Sequence, residues 1–416
     1  MRKKKAQKAV SKPRARRTNS ALQAAEPVAA GPFTAEERAT LAFFSVEGVG
    51  PVTLVRIRAE FGTLAEALRQ PAQAIAPFLN NDRTREQFLQ VQDPGSLADQ
   101  ILERAEKANA KVIFQGRPEW PRQLDGLGFP PLLYVRGQID PDARRVAIVG
   151  SRETDRYGLQ LASFFASVLS EHGVGIVSGG ARGIDGAAHT AAVSEPGATI
   201  AVLGSGVDVV YPKEHELLFQ RIADLGGAVV SHFPPGTPAV AQNFKVRNRI
   251  IAALSDVTLV ARAGAESGSL GTAMAAIELR RPVFAVPGDV TNPLAAGVNS
   301  LLENALARAC TGLPPVAGAL GMEGDDWPTL SAPGGKRNPV VVRSHAPPPR
   351  LATPQQRAEV PQELRPVWEA LGKRPVQFDE LSGVTGMDAA ALANALVRLE
   401  LLGLCEERAG KVFART

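Results

Sequence analysis

A chain of 416 residues with 44% apolar residues is too long for one ordinary hydrophobic core, so two or three domains are expected. Its two cysteines, Cys310 and Cys405, are too few for a disulfide framework or a thiolate metal site, which favours a reducing cytoplasm. Apolar runs of about 18 residues are missing and the basic N-terminus is not followed by an apolar stretch, so we expect neither a membrane span nor a secretory signal.

The net charge of +5 is unevenly distributed along the chain. Of the 47 Lys and Arg residues, nine fall within residues 1–17, where no Asp or Glu occurs, so 38 basic residues face 42 acidic ones in the remainder. We expect residues 1–31 to form a disordered basic arm, which either attracts polyanions without specificity or keeps the protein soluble. Any polyanion site in the body of the protein must therefore be a local cluster of cations.

Residues 32–109 are predicted to form a helical domain. Apolar residues recur at helical spacing on both sides of a Gly48-Val49-Gly50 turn, a pattern that resembles a helix-hairpin-helix or SAM-like domain. In such a hairpin the turn amides, with Arg56 and Arg58 close by, would contact a nucleic-acid backbone. A helical packing module without DNA contacts fits the pattern slightly better. The apolar positions are Leu41, Phe43, Phe44, Leu54, Ile57 and Phe61.

Residues 110–311 are predicted to form an α/β domain. Five short β-branched runs alternate with helical patterns: "RVAIVGS", "VGIVSGG", "TIAVLGSG", "VTLVARA" and "PVFAVPG". Such runs indicate strands buried on both faces, so the predicted fold is an extended Rossmann-like, doubly wound parallel sheet. In open sheets of this kind, ligands bind beyond the carboxyl ends of the strands, at the point where strand order reverses.

Small residues and cations follow the predicted strands. Because the carboxyl ends of parallel strands share one edge of the sheet, these residues should meet there, with turn amides and basic side chains facing an anion. A single glycine turn has a purely structural explanation, but the recurrence of glycine with a cation favours an anion site. The candidate residues are Gly150, Ser151, Arg152, Gly179, Gly180, Arg182, Gly183, Gly204, Gly206, Lys213, Lys245, Arg247 and Arg249.

Several enzyme classes do not fit these turns. A dinucleotide oxidoreductase needs Gly-x-Gly-x-x-Gly after its first strand, where this chain has "GSRETDRYG", and the Gly-Lys-Ser/Thr of a P-loop ATPase is absent from the sequence. Asp185 and His189 are one helical turn apart and could act as an acid/base pair, but Asp185 is more simply a first-turn residue favoured by the helix dipole. No nucleophile with a base and an orienting acid can be assembled from the sequence.

The last third of the chain is predicted to hold a linker and a small domain. Residues 312–360 mix prolines and glycines without apolar periodicity and are predicted to be a linker. Residues 361–416 give three short helices and a terminal pair of strands, the order of a winged helix. The third helix, predicted over 388–402, carries Arg398 as its only basic residue, which favours a protein-contacting or structural role over DNA reading.

Six segments of the central domain carry a family resemblance: "VAIVGSR", "SGGARGIDGAAH", "IAVLGSGVDVVYPKEH", "RNRIIAALS", "SGSLGTA" and "VFAVPG". As an ordered set they closely resemble the DNA processing protein A (DprA/Smf) family over about residues 111–311. The flanking helical and winged-helix modules match the usual architecture of that family more weakly.

The resemblance implies a non-enzymatic, cofactor-free protein that binds and protects single-stranded DNA and loads the RecA recombinase onto it in natural transformation and recombination. It implies a cytoplasmic homodimer formed through the Rossmann-like domain. The resemblance also implies that the phosphates of the strand are bound by Arg152, Arg182, Lys213 and Arg247. We expect Ser267, Gly268 and Ser269, in the matching segment "SGSLGTA", to belong to the same site.

Three positions depart from the family pattern. Lys245 stands where the family usually has proline, and Arg262 stands where an acidic residue is common; both would strengthen phosphate binding. The segment "NSLLENALA" lacks the usual glycine near its end, in the region that the family uses for dimerisation.

Two other function classes have distinct expectations. Phosphoribohydrolases that act on nucleoside monophosphates have a similar sheet but carry a Pro-Gly-Gly-x-Gly-Thr loop followed by a catalytic Glu, whereas this chain has "AGAESGSLGTAMAAIE". A winged-helix transcriptional regulator would bind duplex DNA tightly and with sequence specificity.

Overall fold

The computed structural model describes residues 33–328, apart from 47, 80, 92, 196–198 and 324–326, and residues 360–415, apart from 373–374, 402–403 and 409–411. The first range belongs to one compact unit and the second range to another. The predicted basic arm, residues 1–31, and most of the predicted linker lie outside the described residues.

The first unit consists of a helical segment followed by a sheet flanked by helices. Its helices are α1 Ala35–Phe44, α2 Pro51–Phe61, α3 Leu64–Leu68, α4 Ala72–Ile75, α5 Asp82–Leu89, α6 Ser96–Lys107, α7 Arg156–Glu171, α8 Ile184–Ala192, α9 Glu216–Asp224, α10 Ala241–Ala253, α11 Leu270–Glu278, α12 Ala296–Glu303 and α13 Pro314–Ala319. Its strands are β1 Lys111–Phe114, β2 Leu132–Gly137, β3 Arg145–Gly150, β4 Gly175–Ser178, β5 Thr199–Val202, β6 Ala228–Ser231, β7 Val257–Arg262, β8 Val283–Ala285 and β9 Arg308–Ala309.

The strands form one sheet in the order β1-β2-β6-β5-β4-β3-β7-β8-β9. From β6 to β9 all neighbours are parallel, whereas β1 and β2 add an antiparallel edge. The doubly wound fold predicted from the five β-branched runs is confirmed, and those runs correspond to β3, β4, β5, β7 and β8. The sequence analysis missed β6, which has only four residues, as well as both edges of the sheet.

Two apolar cores cover the two faces of the sheet, as the buried strands require. On one face α7, α8 and α13 pack against β3, β4 and β7, with Phe165 and Leu169 fully buried. On the other face α10, α11 and α12 pack against the same strands, with Ile250 and Val298 fully buried. This double coverage directs the loops at the carboxyl ends of the strands to one edge of the sheet.

The predicted linker begins too early. Helix α13 falls within residues 312–360, which were predicted to be the linker. The core beside α7 buries Leu313, Val316 and Leu320. Two prolines occupy the first turn of α13, where a proline costs no helical hydrogen bond, so a Pro/Gly-rich composition is compatible with a short helix here.

The helical segment shares a core with the edge of the sheet. Leu41 of α1 and Ile101 of α6 pack with Phe114 of β1 and Tyr134 of β2. Glu37 and Arg117 add a buried ion pair across the same boundary, with 2.6 Å between Oε2 and Nη2. These contacts explain why the segment and the sheet form one compact unit.

The second unit has the winged-helix fold, as predicted. Its helices are α14 Arg365–Ala370, α15 Phe378–Thr385 and α16 Ala389–Leu401, and its strands β10 Val376–Gln377, β11 Cys405–Arg408 and β12 Val412–Arg415 form a sheet in the order β10-β12-β11. The Asp388 side chain accepts a hydrogen bond from the Ala391 amide, which caps α16.

Candidate nucleic-acid interface

A crevice of about 520 Å³ lies at the carboxyl end of β3. β3 pairs with β4 on one side and with β7 on the other, so this is the point at which the strand order reverses. We call this cavity the switch-point crevice. The residues that line it include Gly150, Ser151, Arg152, Phe244, Arg247, Asn248, Ser267, Gly268 and Ser269, all of them candidates from the sequence except Phe244 and Asn248.

Phe244 of α10 is the aromatic centre of this crevice. Its ring centre lies 5.1 Å from Cζ of Arg152 and 5.4 Å from Cζ of Arg247, and the ring of Tyr211 is 5.6 Å away. Cation–π attraction holds guanidinium groups over such a ring. Arg152 is exposed, so its charge stays available to a ligand. Reasoning from glycines and cations missed Phe244, although its place one helical turn before Arg247 was a usable signal.

Arg247 and Asp185 form a buried pair in the crevice wall. Nη1 of Arg247 is 3.9 Å from Oδ2 of Asp185, and the side chains are 5% and 8% exposed. Burial lowers the pKa of Arg247 to about 10, which leaves it charged at neutral pH, and burial raises the pKa of Asp185 against the opposing effect of Arg247. Arg247 therefore offers a phosphate a partly neutralised charge.

Asp185 also binds the amides of the glycine turn that follows β4. Its Oδ2 accepts hydrogen bonds from the amides of Gly179 and Ala181, at 3.1 and 3.4 Å. The sequence analysis expected these amides to face a phosphate. The structure differs because a carboxylate of the protein occupies that position.

Close packing explains the strand-end glycines. A Cβ on Gly179 would lie 1.3 Å from Nη1 of Arg247, and a Cβ on Gly183 would lie 2.4 Å from the carbonyl oxygen of Ser151. A side chain at either position would displace the crevice wall. The same close approach, 2.4 to 2.8 Å, occurs at Gly150, Gly180, Gly204 and Gly206.

Arg182 and Lys213 lie on neighbouring turns outside the crevice lining, and both are exposed. Arg182 pairs with Glu214. The turn that carries Lys213 is held against the glycine turn because Nδ1 of His215 contacts the carbonyl oxygen of Gly180 at 2.9 Å. These two cations therefore lie on turns beside the crevice and are not part of its lining.

The remaining candidate cations lie elsewhere. Lys245 is exposed on α10, and Arg249 borders a second cavity and pairs with Glu278 at 3.2 Å. The expectation that Arg262 strengthens phosphate binding is wrong. Arg262 is buried, and its Nη2 donates to Oδ2 of Asp155 at 2.6 Å, so its charge is neutralised inside the fold.

His189, the possible partner of Asp185, lies in the core of the first unit. It is fully buried, its Nδ1 lies 2.7 Å from Oγ1 of Thr199, and burial lowers its pKa to about 3, so it is neutral. Within the described ranges, no group of His, Cys, Asp and Glu side chains is arranged to hold a metal ion. None of the helices in those ranges is both long and apolar enough to span a bilayer.

Helix α16 of the winged helix offers DNA one arginine, and that arginine is paired with a carboxylate. Arg398 is the only basic residue of α16, and its Nη2 lies 2.9 Å from Oε1 of Glu363. Residues 361–416 contain seven Lys and Arg against eight Asp and Glu. These properties agree with the expectation that α16 is poorly equipped to read DNA.

The doubly wound sheet with its switch-point crevice, followed in the chain by a winged helix, is the architecture of a multidomain ligand-binding α/β protein. Residues 111–319 match the family model described as DNA recombination-mediator protein A, and residues 347–411 match the DprA winged helix domain. The chain belongs to the DprA/Smf family of DNA-processing proteins.

Individual relatives agree with this assignment. Protein Smf of Synechocystis is 31% identical over 91% of this chain and 99% of its own length. DNA processing protein DprA of Streptococcus pneumoniae is 40% identical over 44% of this chain and 64% of its own length. The X-ray structure of DprA from the same species superimposes with a TM-score of 0.56 and 29% identity, covering 70% of this chain and 99% of that one.

Proposed function

We propose that the protein binds single-stranded DNA along the carboxyl edge of its sheet and delivers the strand to RecA in natural transformation and recombination, without catalysing a reaction. The observation that carries the proposal is the cluster around Phe244, where an aromatic face lies beside the exposed cation Arg152. A single strand presents unpaired base faces and phosphates together, and this cluster offers a partner for each.

Further cations continue the same edge. Lys213, Lys245 and Arg182 are exposed near the crevice, although Arg182 must exchange Glu214 for a phosphate. Contacts of this kind carry no sequence information, so weak sequence preference is expected. A strand held largely through its phosphates keeps bases accessible to a recombinase that must pair them.

Competition between oligo-dT and a duplex of equal length tests the DNA substrate. We expect single strands to displace the duplex, because only unpaired bases reach an aromatic face. Tight, sequence-dependent duplex binding would instead identify a regulator. Incubation with AMP tests the enzymatic alternative, and release of free adenine would contradict a purely binding role.

The RecA and dimer proposals have separate tests. RecA filament assembly on single-stranded DNA should be accelerated by the protein, and an unchanged rate would remove RecA from the proposal. We place the dimer contact at α12 and β9, where Leu306 is 38% exposed next to a short sheet edge. Leu306→Lys should then give monomers in light scattering, and a variant that stays dimeric would contradict that placement.

A further inference from the structure

A second cavity, of about 900 Å³, lies between the helical segment and the sheet within the first unit. We call it the N-terminal groove. The Gly48-Val49-Gly50 turn before α2 forms one wall, the 233–238 loop after β6 forms another, and Val246 and Arg249 of α10 complete it. The proposed crevice function uses none of these residues.

The inner surface of the N-terminal groove is aromatic and contains an unpaired polar atom. The ring of His232 lies 3.8 Å from Phe233, 5.4 Å from Phe129 and 6.3 Å from Phe44 between ring centres. His232 is 4% exposed, and none of the described residues forms a hydrogen bond with its Nδ1. Burial lowers its pKa to about 3, so the imidazole is neutral and can pair with a polar group of a ligand. A buried polar atom of this kind is usually satisfied by an ordered water, an ion or a ligand group.

Two cations lie among the described residues that line this groove. They are Arg104 and Arg249, and none of the described lining residues is Asp or Glu, whereas the switch-point crevice includes three carboxylates, those of Glu153, Asp185 and Glu266. The exposed pair between Arg249 and Glu278 is weak enough to exchange for a phosphate. The first turn of α2 also borders the groove and lacks a side-chain cap, so its amides add partial positive charge.

One helix connects the two cavities. On α10, Phe244 and Arg247 line the switch-point crevice, whereas Val246 and Arg249 line the N-terminal groove, and Lys245 is exposed between them in sequence. A helix with its side chains is about 10–12 Å across, so a strand leaving the crevice over α10 needs only a few nucleotides to reach the groove.

We propose that the N-terminal groove binds a nucleotide of the same single strand, with its base against Phe129, His232 and Phe233 and its phosphate at Arg249 and Arg104. The proposal rests on the proposed function and extends its binding site. A cavity of this volume suits a mononucleotide-sized group with an apolar face and a few polar anchors.

The affinities for oligo-dT of two lengths, about 5 and about 15 nucleotides, distinguish binding in the crevice from binding in the groove. The full-length protein is compared with Arg249→Ala, and a second variant, Val246→Glu, adds a negative charge at an exposed position of the groove. Arg122→Ala is the matched control, because Arg122 is 53% exposed and 3.2 Å from Asp142, as Arg249 is 52% exposed and 3.2 Å from Glu278. Val384→Glu, at an exposed position of the winged helix, controls for the added charge.

We expect Arg249→Ala and Val246→Glu to weaken the longer strand about fivefold and to leave the shorter one unchanged, since the shorter one is held in the crevice. Neither control should change either affinity. Equal binding of the longer strand by Arg249→Ala and the wild type would overturn the groove proposal. If Arg152→Ala also leaves both affinities unchanged, the proposed crevice function fails as well, so the two failures are distinguishable.

Discussion

Two exposed arginines differ in the groups that they contact. One is Arg152 in the switch-point crevice, and the other is Arg398 in the winged helix. Arg152 lies over the ring of Phe244, and none of the described residues forms an ion pair with it. Arg398 is paired with Glu363. An exposed ion pair contributes only about 0–1 kcal/mol to stability, but its carboxylate opposes the approach of a phosphate. The availability of each cation, rather than the number of basic residues, therefore distinguishes a DNA-binding surface from a solvated one.

Truncation gives the largest expected effect and tests whether the winged helix contributes to binding. A chain ending at Pro328 should stay folded and keep its single-strand affinity within about threefold. A chain ending at Thr311 should unfold, because it loses Leu313, Val316 and Leu320 from the core, at about 1.5–3 kcal/mol for each buried side chain. Thermal denaturation and fluorescence anisotropy measure the two properties. Loss of affinity in a folded, dimeric chain ending at Pro328 would show that the winged helix holds DNA.

Acidification should destabilise the first unit more than the winged helix. Burial lowers the pKa of His189 and of His232 to about 3, below the ordinary value of 6.5. The contribution of these neutral side chains to the stability of the folded state is therefore complete above pH 6.5 and is lost as the pH falls towards 3. Two such groups predict a loss of about 3 kcal/mol in the free energy of unfolding for each pH unit between about pH 6 and 4.

The winged helix serves as an internal control, because residues 360–416 contain no histidine. Hydrogen exchange at pH 7 and pH 5 reports both units in one sample. Equal destabilisation of the two units would contradict the assignment of the acid effect to His189 and His232.

Phe244→Leu tests the aromatic half of the crevice. Removal of the ring should weaken single-strand binding about tenfold, since stacking of a base on an aromatic side chain is worth about 1–3 kcal/mol. Phe164→Leu, at a partly buried position of α7 in the core beside α8, is the control for the same change in volume. Similar affinities for the two variants, measured by anisotropy, would contradict stacking of a base on Phe244.

The strands and the location of the crevice could be predicted from the sequence, because β-branched runs are local signals and parallel strands must end at a common edge. The partners of individual side chains could not. Arg262 and Asp155 are 107 residues apart, and the Asp185 carboxylate occupies the amides that a glycine pattern assigns to phosphate. The first pairing depends on a contact between distant segments, and the second depends on the exact backbone path of the turn between β4 and α8. α13 escaped prediction for the opposite reason, because a local Pro/Gly-rich composition concealed a helix that the core stabilises.

The salt dependence of oligo-dT binding by Arg152→Ala and Arg398→Ala tests whether the strand lies in the switch-point crevice. Each single-strand phosphate neutralised contributes about 0.7 to the slope of log affinity against log salt. We predict that Arg152→Ala flattens the slope by about 0.7 and lowers the affinity about tenfold, whereas Arg398→Ala leaves both unchanged. An unchanged slope in Arg152→Ala, or equal flattening in both variants, would contradict the assignment of single-stranded DNA to the switch-point crevice.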